Sequence, residues 1–276
     1  MDSSVDLTSS ELDKLAEYLQ KHTGIHLEKK KLQRFKRKIE AIFVKHKIAT
    51  FNDFYHQLRF LASEELIQDL TNAVTVNETY FWREHQQFEL LVKEILPLYV
   101  REGSTPKVRI LVSPCSSGEE LYSIMLHILE AGSLLEKLNI EMIGIDIDSS
   151  MIEKAKRGFY SQRSIDKVPK KLLEKYFKKV GAFYQLERSV VKAAHFMQVN
   201  IFEKDLEKKM GHFDIIFSRN MLIYFNAADK QHCFETFHSL MKEGATLFLG
   251  HADANNIDKK RFKLLKNGFH VFEKIV

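Results

Sequence analysis

Apolar residues recur at three- and four-residue spacing over the first seventy-odd positions, then in short consecutive runs after Pro106, so the chain reads as two regions of different period. In the first region Thr8-Ser9-Ser10-Glu11 has the form of a capping box, in which a hydroxyl and a carboxylate three residues apart each accept the other's backbone N–H. Leu12, Leu15, Ala16 and Leu19 follow on one helical face until Gly24. A second helix is expected from Lys29, with Leu32, Phe35, Ile39, Ile42 and Phe43 on one face and Lys29, Lys30, Lys31, Arg34, Arg37 and Lys38 mostly on the other. Thr50 and Ser63 stand where caps are needed for helices over Phe51–Leu61 and Glu64–Val74. Residues 1–75 are therefore expected to form an all-helical N-terminal domain.

A linker is placed at 76–90, and a helical segment carrying Phe88, Leu91, Val92, Ile95 and Leu96 begins within its last residues. Strands are then predicted at Val108–Ser113, Glu141–Asp146, Ala194–Val199, Asp214–Ser218 and Ala245–Gly250, alternating with helices over Glu119–Ala131, Ser149–Arg157 and Ala227–Met241. That alternation predicts an α/β domain over 91–276 with a parallel, doubly wound sheet. Asn267-Gly268 separates Phe262–Lys266 from Phe269–Val276 and predicts a hairpin at a sheet edge. An insertion at about 160–194 holds a helix begun near Pro169 and a β-prone stretch Phe183–Val191, read as a small grafted subdomain.

Composition excludes more than it selects. With 45% hydrophobic and 29% charged residues and only 11 Gly and 4 Pro, global disorder and fibrous repeats are out. Apolar runs such as Phe213–Phe217 fall far short of the ~20 residues that cross a bilayer, so no membrane insertion is expected. Met1-Asp2-Ser3-Ser4-Val5-Asp6 is acidic where a secretion signal is basic and then apolar, which predicts a cytoplasmic protein. Cys115 and Cys233 are far apart and the twelve His follow no ligand spacing, so neither a disulfide nor a metal is expected. A net charge of +5 permits an acidic partner without requiring one.

Ligands of open α/β sheets sit beyond the carboxyl ends of the strands, which directs attention to the turns there. Ser113-Pro114-Cys115-Ser116-Ser117-Gly118-Glu119-Glu120 has one Gly, so the dinucleotide fingerprint fails. Its two carboxylates either complement the helix dipole or suit a ligand with a cationic end, such as the amino group of a methionine moiety. Asp146 ends a strand where nucleotide-binding sheets receive ribose hydroxyls, whereas Asp148 is expected to cap the next helix. Gln198-Val199-Asn200-Ile201 could read and sandwich an adenine, or be a bland loop. Ser218-Arg219-Asn220-Met221-Leu222-Ile223-Tyr224-Phe225 puts Arg, Asn and Tyr after a very apolar strand, which packing alone does not explain. In the linker, Asn77–Glu84 surrounds Tyr80-Phe81-Trp82 with polar groups and reads as a buried lid over the strand ends, with an interdomain clasp as the alternative.

In order and spacing, Asn77–Glu84, Ser113–Tyr122, Gly144–Tyr160 and Phe213–Phe225 followed by Gly250-His251 resemble the CheR family of chemotaxis protein methyltransferases, over nearly the whole chain. The resemblance implies a Rossmann-like methyltransferase sheet and transfer of methyl from S-adenosylmethionine to glutamates of methyl-accepting chemotaxis receptors, with S-adenosylhomocysteine as product. It further implies that Asn77, Thr79 and Arg83 reach the cofactor from the linker, Glu120 binds its methionine end, and Asp146 holds the ribose. Asn200 and Ile201 would frame the adenine, Arg219 and Asn220 would complete the pocket, and Arg83 and Tyr224 would face the incoming carboxylate. The implied partner is the helical cytoplasmic region of the receptors, and no nucleic acid is expected.

The chain departs from the family pattern at Trp82, Leu121, Ser218 and Gly250-His251-Ala252-Asp253, where a second Phe, Pro, Cys and Gly-His-Ser-Glu are usual. The turn within Lys178–Phe183 lacks the Gly-rich loop of members that dock a receptor's C-terminal tail, which argues against tail tethering. Rival readings are a methyltransferase of the same fold with another substrate and a sensor module that binds S-adenosylmethionine without methylating receptors. The basic helix could also bind nucleic acid, but no RNA-binding motif accompanies it.

Overall fold

A computed structural model describes residues 7–27, 29–61, 63–266 and 268–275. The acidic Met1–Asp6 segment, Asn267 and the side chains of Lys29, Lys30 and Lys31 lie outside what is described.

The helical region holds α1 (Ser9–Thr23), α2 (Lys29–Lys45), α3 (Phe51–His56) and α4 (Glu64–Val74). Its ends are set by the expected chemistry. The Thr8–Glu11 capping box is formed in both directions, and Gly24 closes α1 in the left-handed conformation with its N–H on Gln20 O. Thr50 and Ser63 accept the N–H of Asp53 and Leu66, caps that each stabilise a helix by ~1 kcal/mol. The third helix does not run α-helically to Leu61: Gln57–Leu61 is a π turn. Leu15, Leu32, Ile39, Phe54, Leu66 and Leu70 form the core, with the Phe43 and Phe54 rings stacked 4.4 Å apart.

After α5 (Gln86–Leu90), whose axis continues through a π and a 3-10 turn to Tyr99, the chain enters the α/β domain. It runs β1 (Lys107–Val112), α6 (Glu119–Glu130), β2 (Asn139–Asp146), α7 (Ser149–Arg157), β3 (Phe159–Ser161), α8 (Gln162–Ile165), α9 (Lys170–Tyr176), β4 (Phe177–Val180) and β5 (Phe183–Leu186). It continues α10 (Arg188–Ala193), β6 (Ala194–Gln198), α11 (Leu206–Met210), β7 (Phe213–Ser218), α12 (Ala227–Leu240), β8 (Met241–Leu249), β9 (Phe262–Lys266) and β10 (Val271–Lys274).

The main sheet has the order β6-β2-β1-β7-β8-β10-β9. The expected parallel sheet forms from β6, β2, β1, β7 and β8, and the edge hairpin makes the whole mixed, with β10 antiparallel to both β8 and β9. The hairpin forms at the edge as expected, its second strand lying inside its first. Alternate residues feed two layers. Ile110, Val112, Phe217 and Phe248 face Phe88, Leu121 and Tyr122, whereas Leu111, Ile216, Leu247 and Leu249 face Phe234 and Phe237. Val112 is opposite both Gly144 and Phe217, and Ser218 is opposite Leu249, so four strands end on one rim.

The inserted subdomain is a three-stranded antiparallel sheet of order β3-β5-β4. Only the first part of the β-prone Phe183–Val191 stretch is strand; Arg188–Ala193 is helix. The ladder is exhausted there, since Leu186 and Glu187 donate to Gly158 O and Tyr176 O, and Val190 and Val191 turn onto the sheet domain's core. The β4–β5 turn is the two residues Gly181-Ala182, with Gly181 at φ 60°.

Candidate functional site

The strand rim opens into one cavity of about 1030 Å³ of atom-free space, part of it continuous with solvent. Every residue that the family resemblance assigned to the site lines it: Asn77, Thr79, Arg83, Glu120, Asp146, Asn200, Ile201, Arg219, Asn220 and Tyr224. Its walls come from both regions of the chain, because Thr23, Ile25 and Leu27 at the end of α1 and Val74–Thr79 at the end of α4 close it opposite the strands.

Gly118, at φ 93°, lets the β1–α6 turn pass close to Tyr122, where a Cβ would stand 2.9 Å from the ring. The turn delivers two carboxylates with different tasks. Glu119 is turned inward, its two oxygens accepting the hydroxyls of Ser117 and Ser164 at 2.8 Å each. Glu120 accepts Arg219 Nε at 2.9 Å through Oε2, while its Oε1 is buried without a partner. Burial raises the Glu120 pKa, and the Arg219 charge opposes that rise. A cavity-lining acceptor held beside one cation and lacking a second partner suits a cationic ligand group. Ser116 Oγ is likewise buried and unpartnered on the same wall.

Arg219 itself is less a ligand group than a clamp. Its side chain is wholly shielded, and beyond Glu120 it donates to Gln87 Oε1 and to the carbonyls of Glu84 and Arg83. Its guanidinium also lies over the Phe88 ring at 4.9 Å. Gln87 had no signal in the sequence, yet its amide reaches Leu249 O and Phe269 O and pins the linker across the sheet.

Asp146 ends β2 and is buried, with Oδ2 accepting Ser116 N–H at 2.8 Å and Oδ1 accepting Asp148 N–H at 2.9 Å. Burial pushes its pKa up to about 6 against those N–H bonds. Asp148 caps α7 as expected, but its other oxygen receives Thr75 Oγ1 at 2.6 Å and Asn77 Nδ2 at 2.7 Å. Asn77 is thereby held at the cavity by a residue read only as a cap.

The linker does not lay its aromatics over the cavity. Phe81 and Trp82 are buried in the sheet domain's core, Phe81 edge-on to Tyr160 and Phe177, Trp82 against His127. They anchor the segment, and the polar residues Asn77, Thr79 and Arg83 supply the cavity wall. Trp82 and Glu84 have φ of 65° and 50°, so the backbone turns sharply on either side of Arg83. Arg83 donates to Glu78 O at 3.0 Å and is close enough to lower the pKa of Tyr224, which burial nonetheless raises. The Tyr224 hydroxyl therefore stays protonated at neutral pH, and its carbonyl accepts His26 N–H from the helical region.

Asn200 lines the cavity, and its side chain is also bonded outside it. Nδ2 donates to His22 O at 2.8 Å and Oδ1 accepts Phe202 N–H, fastening the sheet to α1. Ile201 with Val199, Ile145 and Ile25 forms the apolar end of the cavity. Among the described residues, one His/acid cluster could geometrically hold a metal: His46, Glu65 and Asp69 in the helical region. The Lys45 ammonium already sits on both acids, 2.6 Å from Asp69 and 3.0 Å from Glu65. No helix among the described residues is long and apolar enough to cross a membrane.

Comparison with known proteins bears on both regions. The family model described as CheR methyltransferase, SAM binding domain, matches residues 77–270, and that described as CheR methyltransferase, all-alpha domain, matches residues 10–75. A chemotaxis protein methyltransferase 2 of Vibrio cholerae is 38% identical over 257 residues, covering 91% of this chain and 88% of that protein. Chemotaxis protein methyltransferases of Campylobacter jejuni and Borreliella burgdorferi are 33% and 28% identical, covering 92% and 91% of this chain and 92% and 90% of theirs.

Proposed function

The chain belongs to the CheR family of chemotaxis protein methyltransferases, and from its cavity we infer how its residues divide the family's reaction among them. The enzyme is an S-adenosylmethionine-dependent protein-glutamate methyltransferase whose substrates are chemoreceptors.

The observation that carries the division of labour is Glu120 Oε1, buried at the cavity wall without a partner. The cofactor's methionine end carries an ammonium group that would satisfy it, so the residues present fit the group. Asp146 would accept the ribose hydroxyls beside the backbone N–H groups of Ser116 and Asp148 that hold it. Ile201, Val199 and Ile145 would sandwich the adenine, with Asn200 offering what its bonds to His22 and Phe202 leave free. Asn77 and Thr79 would close the linker side, and Arg219 and Asn220 would shape the wall beside Glu120.

When bound, S-adenosylmethionine supplies a methyl group already activated by a sulfonium centre, and S-adenosylhomocysteine is left. A glutamate carboxylate, with an unperturbed pKa of ~4.3, arrives ionised, so no residue has to remove a proton. Arg83 and the protonated Tyr224 hydroxyl are assigned to that carboxylate, which they orient toward the methyl carbon. Binding that is equally strong before and during transfer would not raise kcat, so their value lies in alignment and in excluding water.

The partner surface follows from charge. Arg34, Arg37 and Lys38 are exposed along α2, and an acidic receptor helix is the complementary shape and sign. We place the receptors' helical cytoplasmic region there, and the two-residue β4–β5 turn is the reason no tail tether is assigned. Transfer of labelled methyl to receptor cytoplasmic fragments tests the reading: base-labile label on glutamate supports it, and cofactor binding without transfer would favour a sensor role.

A further inference from the structure

One buried acid of the sheet domain has no task in the reaction above. Asp253 follows β8, is 3% exposed and does not line the cavity. Its N–H donates to Gly250 O at 3.0 Å, closing a turn that aims the carboxylate back at the β7 loop. There Oδ2 accepts the backbone N–H of Asn220, a residue held at φ 60° without being glycine. The N–H groups of Leu222 and Ile223 also act on this carboxylate. They open the 3-10 turn Leu222–Tyr224, and donors in a helix's first turn have no acceptor within it. Oδ1 is buried with no formed hydrogen bond.

The approach depends on residue 250 having no side chain. A Cβ on Gly250 would stand 2.7 Å from Asp253 Oδ2 and 3.1 Å from Asn220 N. Gly250 and Asp253 together hold the end of β8 against the loop that carries Asn220 and Tyr224.

We propose that Asp253 is a positioning residue for methyl transfer, clamping the Ser218–Tyr224 loop from the β8 side so that the Tyr224 hydroxyl is held toward the substrate carboxylate. This rests on the assignment of Tyr224 made above and deepens it. Asp253 itself does not line the cavity, and Arg219 is fixed independently through Glu120, Gln87 and the Arg83 carbonyl, so loosening the loop falls on Tyr224 at its far end and turnover is expected to drop more than cofactor affinity.

The test uses the full chain, labelled methyl transfer to receptor fragments, calorimetry with S-adenosylhomocysteine and thermal melting. Asp253→Ala is expected to lower kcat about tenfold or more while the product's Kd stays within about threefold of wild type. Asp253→Asn keeps an oxygen for the Asn220 N–H and is expected to restore most of the rate. In a Tyr224→Phe background, Asp253→Ala should cost less than about threefold further, because the two act through one group. The proposal is overturned by wild-type kcat in Asp253→Ala, by a loss that Asp253→Asn does not repair, or by an undiminished loss in the Tyr224→Phe background. Wild-type turnover by Tyr224→Phe alone would instead remove the assignment of Tyr224, and with it this role for Asp253; a repaired kcat loss in Asp253→Ala would still localise the clamp's effect to turnover. Should Asp253→Ala fail to fold, Gly250→Ala presses on the same contact with the carboxylate intact, and its kcat must fall with Kd preserved.

Discussion

Arg219 Nε lies 2.9 Å from Glu120 Oε2 with the arginine side chain wholly out of solvent, so the carboxylate assigned to the cofactor is held from behind by a cation that is itself fully engaged. Removing one partner of a buried pair leaves the other uncompensated, a loss of about 3–5 kcal/mol in typical cases. Arg219→Ala should therefore lower the melting temperature markedly. Arg219→Lys should recover little, because a single ammonium cannot reach Glu120, Gln87 and two carbonyls at once. Circular dichroism melts check both.

Glu120→Gln keeps the shape but removes the charge that meets the ligand's ammonium. A hydrogen bond to a charged group contributes about 1.5–3 kcal/mol, so affinity for S-adenosylhomocysteine should fall roughly tenfold to a hundredfold in calorimetry. An unchanged affinity in the folded variant would remove Glu120 from the methionine end.

Asp146 predicts a pH dependence whose sign differs between folding and binding. Its pKa is raised to about 6 by burial, so between about pH 4 and 6 the folded chain holds a proton that the unfolded chain has lost. At this residue acid favours the folded state. Ribose hydroxyls donate best to the ionised form, so cofactor affinity should be flat above pH 7 and decline as pH falls through 6. Asp146→Asn should bind weakly with that decline abolished. Asp253 titrates in the same range but lies off the cavity, and Asp253→Asn should keep the decline.

For the substrate side, Arg83→Ala and Tyr224→Phe are each expected to lose most methyl transfer. Tyr224→Phe should keep cofactor affinity within about threefold, since its hydroxyl is assigned to the carboxylate. Rates and calorimetry on the same preparations separate the two effects.

Exposed charges on α2 should act on encounter. Reversing Arg34, Arg37 and Lys38 to Glu is expected to raise the apparent KM for receptor several-fold at low salt, with less effect at high salt, because screening sets in over about 8 Å at physiological ionic strength. Cofactor affinity should not move. Deleting a receptor's C-terminal tail should leave its methylation nearly unchanged.

What could be read in advance was whatever depends on near neighbours in sequence. Caps at Thr8, Thr50 and Ser63 and the apolar strands leading to Asp146 and Arg219 depend on spacings of three or four residues or on runs of five or six, and those are visible. Bonds that close over long separations were not. Asp148 looked like a cap because half of it is one, while its hold on Thr75 and Asn77 spans more than seventy residues. Asn200 carried no local mark of its bond to His22 O, nor Gln87 of its bonds to Leu249 and Phe269. The three aromatics of the linker read as a lid over the strand ends, but two of them are buried and anchor the segment, and it is their polar neighbours Asn77, Thr79 and Arg83 that line the cavity. Strand β10 shows the same limit at the level of topology, because which side of β9 it takes is decided by Leu247 and Phe248, the partners of Phe272 and Val271.

The cavity has walls from both regions, and the seam between them is stitched by polar bonds: Gln68 to Ile147 O, Asn72 to Ser149, Thr75 and Asn77 to Asp148, Asn200 to His22 O and His26 to Tyr224 O. For chimaera building this fixes the unit of exchange. Grafting the helical region of one relative onto the catalytic sheet of another, in order to redirect receptor choice, would also replace the roof of the cofactor chamber. Such a hybrid would keep the cavity's walls in register only if the residues on both sides of the stitching travel together, so the helical region is not a detachable module.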